Sequence, residues 1–268
     1  MYEIEQLEVV MKIACVQQNH NTGKVAENRE KAVRFANEAI NNGAEIILFH
    51  EELLIGYHKD MKKLAEPVDG ETTQVFMKVL SRTDAKIIYG LTEKKDGKFY
   101  ISAPVVTKDG VIANYHKTHL WWSATGLRDE PVFYTPGDSL TVFEHDGHKI
   151  GILICYDGDF PEMFRSYAKL NCSMVLWMNN RGSRGPDDCC IEAANRNTIV
   201  VATSCACGVD EAGNSCEGLS NIVDQWGNVM AVIKDREGII YADVDLSEVL
   251  SERNRNPWYR GMRDDIYI

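Results

Sequence analysis

The chain is short of several things, and each shortage closes a class of function. It carries 29 Lys and Arg against 40 Asp and Glu, a net charge of −11, and no basic cluster interrupts that balance. Such a surface repels nucleic acid and anionic membranes, so neither is expected as a partner. No apolar run approaches the roughly 20 residues of a membrane span. The opening, "MYEIEQLEVV", is acidic where a secretion signal needs basic residues, and the reading is a cytoplasmic protein. There is no G-x-G-x-x-G and no Gly-rich phosphate loop, which argues against nucleotide chemistry. G-x-S-x-G is absent, so a serine nucleophile of the α/β-hydrolase kind has no elbow to sit on. No repeat or low-complexity linker divides the 268 residues, which read as one domain. Residues 1–10 are set apart as an N-terminal extension before a strand that opens at Met11.

Cysteine is plentiful but badly spaced for a metal. The eight are Cys15, Cys155, Cys172, Cys189, Cys190, Cys205, Cys207 and Cys216, and none makes the C-x-x-C of a structural zinc site. No metal and no cofactor are expected. In a reducing compartment these side chains behave as small buried residues. A thiol-rich metal or redox protein is the alternative that a stoichiometric metal in the purified protein would revive.

What the sequence has is an alternation of strands and helices. "KIACVQQ", "AEIILFHE", "KIIYGLTE", "YISAPVVTK", "GVIANYHK", "KIGILIC", "SMVLWM", "TIVVATSCA" and "GIIYADV" read as strands, and "LSNIVDQWGNVMAVI" as a hairpin turned at Gly227-Asn228. Helices are expected over 24–42, 72–82, 161–170 and 187–197, the first closed by Gly43. The end, "RNRNPWYRGMRDDIYI", reads as irregular. Such an order demands a sheet core with helices outside, an α/β fold.

Polar groups at the ends of apolar strands then stand out. Glu51 ends "AEIILFHE", Lys117 ends "VIANYHK", and Cys155 ends "KIGILIC" ahead of a turn of two aspartates and a glycine. Glu130 lies in "RDEPVFYTPGD". Taken singly, each has a plain explanation: a core cysteine, a capping carboxylate, a solvated lysine, a loop charge. Together they can do chemistry. A thiol needs a base to become a thiolate, a desolvated glutamate can move a proton, and a lysine can hold an oxyanion.

The set resembles the nitrilase superfamily, the carbon–nitrogen hydrolases. The resemblance rests on "HEELLIGY" for the base Glu51, "YHKTHL" for Lys117, "EPVFYTPGD" for Glu130 and "ICYDGDFPE" for the nucleophile Cys155, in that order along the chain. It implies a four-layer α-β-β-α sandwich and a homodimer or higher homo-oligomer, with the tail from about residue 247 to 268 at the contact. It further implies a thioester mechanism in which Glu51 serves as base and acid, Lys117 and the N–H of Tyr156 hold the oxyanion, and Glu130 places Lys117. Tyr156-Asp157 after the cysteine, where nitrilases carry Trp-Glu, points to the amidase-like branch and away from nitriles. The stretch "EAANRN" departs from the Arg-Ala-x-Glu-Asn common in the family at that helix. Trp121, Trp122, Trp177 and Asn179, with Tyr156, are the expected walls of a small pocket. The expected function is hydrolysis of a small amide or ω-amide with release of ammonia. An N-carbamoyl amide hydrolase is the alternative, and a nitrilase or a non-catalytic binding module is further off.

Overall fold

A computed structural model describes residues 10–19, 21–123, 126, 128–181, 187–209, 215–263 and 265–266. The expected extension, apart from Val10, lies outside the described residues. One sheet of seven strands contains β1 (Met11–Gln17), β2 (Ile46–Leu48), β3 (Lys86–Ile88), β4 (Leu91–Lys95), β5 (Lys98–Thr107), β6 (Gly110–His116) and β15 (Gly238–Val244). A second sheet of six contains β7 (Val142–His145), β8 (His148–Ile154), β9 (Cys172–Asn179), β10 (Val200–Cys205), β13 (Ser220–Val223) and β14 (Val229–Ile233). A small hairpin, β11 (Cys207–Val209) and β12 (Ser215–Glu217), stands apart.

Each sheet has a parallel centre, β1-β2-β3 in the first and β8-β9-β10 in the second. Parallel strands are covered on both faces, which is why these segments read as unbroken apolar runs. On β9 the alternation is plain: Met174, Leu176 and Met178 point into the core shared with the first sheet, while Val175 and Trp177 point into a core with the helices. Helices α1 (Val25–Asn41) and α3 (Glu71–Val79) cover the first sheet, and α5 (Pro161–Lys169) and α6 (Asp187–Asn197) cover the second. Ala32, Ala36 and Ala39 form the buried stripe of α1, at the three- and four-residue steps of a helix face. The result is the four-layer α-β-β-α sandwich. Short helices α2 (Met61–Leu64) and α4 (Glu130–Phe133) and the longer α7 (Leu246–Arg255) complete the set.

The structure departs from the sequence reading at informative places. "KIIYGLTE" is not one strand: it breaks between β3 and β4 at Tyr89-Gly90. A Cβ on Gly90 would overlap the backbone of His50, Glu51 and Glu52. The break lets this junction lie against the turn that follows β2, with Leu53 N–H donating to Gly90 O at 3.1 Å. The tail expected from about residue 247 begins as α7, capped by the carboxylate of Asp245, which accepts from Ser247 N–H at 2.9 Å. Arg253 beneath it is buried and donates to the carbonyls of Ala168, Cys172 and Thr198 at 2.7–3.2 Å. The tail therefore starts by docking on its own fold.

Candidate active site

Glu51 sits in the turn after β2, Lys117 directly follows β6, and Glu130 opens α4. The fold brings all three together with side chains no more than 1% exposed. Lys117 Nζ donates to Glu51 Oε1 and to Glu130 Oε1, both at 2.8 Å. Glu130 also accepts from Tyr57 OH at 2.6 Å on Oε1 and from the Trp121 backbone N–H at 2.6 Å on Oε2. Both of its oxygens are therefore occupied. Glu51 differs: its Oε2 is buried and has no hydrogen-bond partner among the described residues.

Burial works against the charge on Lys117, but the charges of Glu130 and Glu51 outweigh it and hold the ammonium well above its ordinary range. Burial pushes Glu130 up, and Lys117 pulls part of that back. Burial pushes the Cys155 thiol up to about 12, with Glu51 adding to the rise and Lys117 and Arg181 opposing it. So raised, Cys155 rests as a neutral thiol, and a thiol in this state reacts as a nucleophile only with a base beside it.

Cys155 has φ +47, in the left-handed region that a side chain adopts at a cost. The residue begins a 3-10 turn, Cys155–Asp159, that leads into α5 at Pro161. Three groups hold this elbow. The Cys155 carbonyl accepts from Trp177 Nε1 at 3.0 Å and from the Arg181 guanidinium at 2.8 Å. Gly158 lies on the Trp177 ring so closely that any Cβ would overlap it. Asp157 is fully buried, and its Oδ2 accepts from Ile154 N–H at 3.0 Å and Tyr115 OH at 2.9 Å. Its Oδ1 accepts from Thr118 N–H at 3.2 Å and His119 N–H at 2.8 Å. Asp157 thus ties the elbow of the second sheet to the segment of the first that carries Lys117.

The expected pocket walls divide. Trp121 and Tyr156 meet edge to face, ring centres 5.0 Å apart, and each is adjacent to the cluster, Trp121 through its N–H on Glu130 and Tyr156 as the residue after Cys155. Trp122 is 69% exposed and is not drawn into the cluster. The described contacts of Trp177 and Asn179 are of another kind. The strand alternation of β9 turns Trp177 toward the helices, where it is fully buried against Phe164 and supports the elbow from behind. Asn179 is fully buried and accepts from Arg181 Nε at 2.9 Å, so it steadies that guanidinium. Tyr57, Asp157 and Arg181 join the site without having been singled out as site residues. Tyr57 closes the "HEELLIGY" stretch, and Asp157 is an acceptor three residues past the end of β8. Arg181 gave no signal, because only the fold returns it to Cys155.

One group able to hold a metal, Glu45, His145 and Asp146, lies away from this site, before β2 and at the β7–β8 turn. Lys86 Nζ sits 2.7 Å from His145 Nδ1, which places a cation where a metal would be repelled.

Comparison with known proteins agrees with this geometry. The carbon-nitrogen hydrolase family model matches residues 12–254. The omega-amidase NIT2 of Homo sapiens is 30% identical over 252 residues, covering 90% of this chain and 91% of its own. An (R)-stereoselective amidase of Pseudomonas sp is 28% identical, covering 94% and 92%. The crystal structure of XC1258 from Xanthomonas campestris, a CN-hydrolase superfamily protein, shares the fold at a TM-score of 0.87 with 20% identity, over 97% of this chain and 98% of that one. A family-model match along nearly the whole chain and a relative 30% identical over 90% of it lead to one conclusion: this chain belongs to the carbon-nitrogen hydrolase family.

Proposed function

We propose that the protein hydrolyses the C–N bond of a small amide through a thioester on Cys155 and releases ammonia. The observation that carries this is Glu51 Oε2, a buried carboxylate oxygen left without a partner beside a thiol that needs a base. Glu51 takes the proton of Cys155, and the sulfur attacks the amide carbon. The oxyanion is held by Lys117 and the Tyr156 N–H. An ammonium has three donors and Lys117 spends two on glutamates, which leaves the third for the oxyanion. Glu51 protonates the leaving nitrogen, and ammonia departs. Water then attacks the thioester; Glu51 accepts its proton and returns it to the sulfur as the acid leaves. Glu130 keeps Lys117 in place. The relatives' names, an omega-amidase and a stereoselective amidase, favour an amide over a nitrile as substrate. The segment after α7 is proposed as a contact with a second copy, measurable as mass in solution.

The test is ammonia release from aliphatic amides, ω-amides, N-carbamoyl compounds and nitriles, with Cys155→Ala beside the wild type. Release from amides that vanishes in the variant supports the reading. Release with carbon dioxide from N-carbamoyl compounds alone would replace it with the carbamoyl hydrolase, and an undiminished rate in Cys155→Ala would overturn it.

A further inference from the structure

Next to the base stands a second glutamate that the mechanism does not use. Glu52 is 1% exposed and has φ +54, so its backbone is held in a conformation that costs energy. Its carboxyl reaches away from Cys155. Oε2 accepts from Thr92 Oγ1 on β4, and Oε1 lies 3.1 Å from Tyr134 OH. Tyr134 ends α4, the helix that Glu130 opens, and its N–H donates to Glu130 O at 2.8 Å. One side chain thus joins the turn of Glu51, the strand after Gly90 and the helix of Glu130.

The protons in this chain can be counted. Tyr134 OH has two acceptors in reach, Glu52 Oε1 and Met61 Sδ, the latter also at 3.1 Å, and one proton to give. If Glu52 is ionised, one of these contacts has no hydrogen. If Glu52 is protonated, each of these three contacts carries a hydrogen: Thr92 donates to Oε2, the carboxyl donates to Tyr134 oxygen, and Tyr134 donates to Met61 Sδ. The charges facing Glu52 agree. Glu51 precedes it in the same turn, Glu130 lies on α4, and the one ammonium bonded to those two carboxylates is Lys117. A third negative charge would leave the cluster underbalanced in a buried place.

We infer that Glu52 is a positioning residue for the two catalytic glutamates, acting as a neutral acid that donates its proton to Tyr134. The inference rests on the proposed roles of Glu51 and Glu130. Burial, with the charges of Glu51 and Glu130 behind it, raises this carboxyl to about 8 against the hydrogen bonds from Thr92 and Tyr134. Above that pH the proton leaves, Tyr134 turns its own proton to the carboxylate and away from Met61, and a third buried negative charge repels Glu51 and Glu130. Because the folded value lies above the unfolded one, the stability lost to this group grows as pH rises toward about 8 and is absent in acid.

Glu52→Gln can copy the neutral carboxyl, donating to Tyr134 and accepting from Thr92, but cannot ionise. It is expected to keep kcat within about threefold near neutral pH, whereas Glu52→Leu loses on the order of 10- to 100-fold, because a small misplacement is costly at a reacting centre. The alkaline limb of kcat moves to higher pH in Glu52→Gln, and that variant's thermal stability relative to the wild type rises as pH climbs from acid toward about 8 and is level above it. A merely structural glutamate would move none of the pH profile. A readout free of activity is the infrared carbonyl band of a protonated carboxylic acid, present in wild type minus Glu52→Gln difference spectra at neutral pH. Loss of that band overturns the inference even if the protein proves not to be an amidase. Identical alkaline limbs, or a Glu52→Gln as inactive as Glu52→Leu, overturn it even if it is one.

Discussion

Glu51 and Lys117 reach the site from the first sheet as buried charges that hold each other; Cys155 reaches it from the second as a neutral thiol on a left-handed backbone. The first half is fixed by charge pairing. Lys117 lies between two carboxylates, and each oxygen of Glu130 is held by donors. The second half is fixed by backbone geometry, with the carbonyl of Cys155 clasped by Trp177 and Arg181 and its turn tied down by Asp157. The difference teaches where each half is fragile. The charged half fails when a partner is removed, and the elbow fails when its support changes shape.

The largest effect breaks the elbow's chemistry without its shape. Cys155→Ala should abolish ammonia release while the melting temperature stays within a few degrees. Measurable turnover would mean that another group is the nucleophile. Next comes the charged half. Lys117→Ala should lower kcat by at least about a hundredfold, the usual loss for an oxyanion donor. It should also cost about 3–5 kcal/mol in denaturant unfolding, because two buried carboxylates lose their cation. Near-normal turnover would remove Lys117 from the mechanism.

Two glycines compare the halves directly. Gly90→Ala pushes on the backbone of Glu51, which cannot step aside, while Gly158→Ala pushes on the Trp177 ring. Overpacking typically costs about 1–3 kcal/mol, and Gly90→Ala should stand at or above the top of that range. Equal and small losses for both would show that the Glu51 turn is softer than its packing suggests. Asp157→Asn should be milder, since the amide keeps one acceptor. A fall in kcat of roughly tenfold with little change in KM would mark it as a positioning residue, consistent with about 1–3 kcal/mol for donors left unmet. The smallest effect is Trp122→Ala, within about 0.5 kcal/mol in stability and close to wild type in kcat, as for an exposed side chain. A large rise in KM would return Trp122 to the pocket.

Most of the architecture was legible because fully covered strands have a simple signature. The runs around Ile152, Leu176 and Val201 are apolar on both faces, and helix α1 has its stop signal in Gly43 and α5 its start signal in Pro161. Glu51, Lys117 and Cys155 were legible as polar ends of apolar segments and Glu130 through the motif "EPVFYTPGD", and the fold places the two glutamates on one ammonium. Trp177 misled because an aromatic near a strand end has two faces to choose from, and only the register of β9 with β8 and β10 turns it toward the helices. The break at Gly90 was invisible because nothing local requires it; the reason lies forty residues upstream, in the backbone of the Glu51 turn.

The sequence by itself determined the layers and the chemical groups, since both follow from local patterns: covered strands, amphipathic helices, and a thiol, an ammonium and carboxylates at strand ends. The partners of the two adjacent glutamates, Lys117 for Glu51 and Tyr134 for Glu52, were decided only by the tertiary structure. So were the return of Arg181 to the Cys155 carbonyl and the reach of Asp157 to Thr118 and His119. These are contacts between segments distant along the chain. Their energies depend on burial and on the partner met there, and neither is written in the residues on either side.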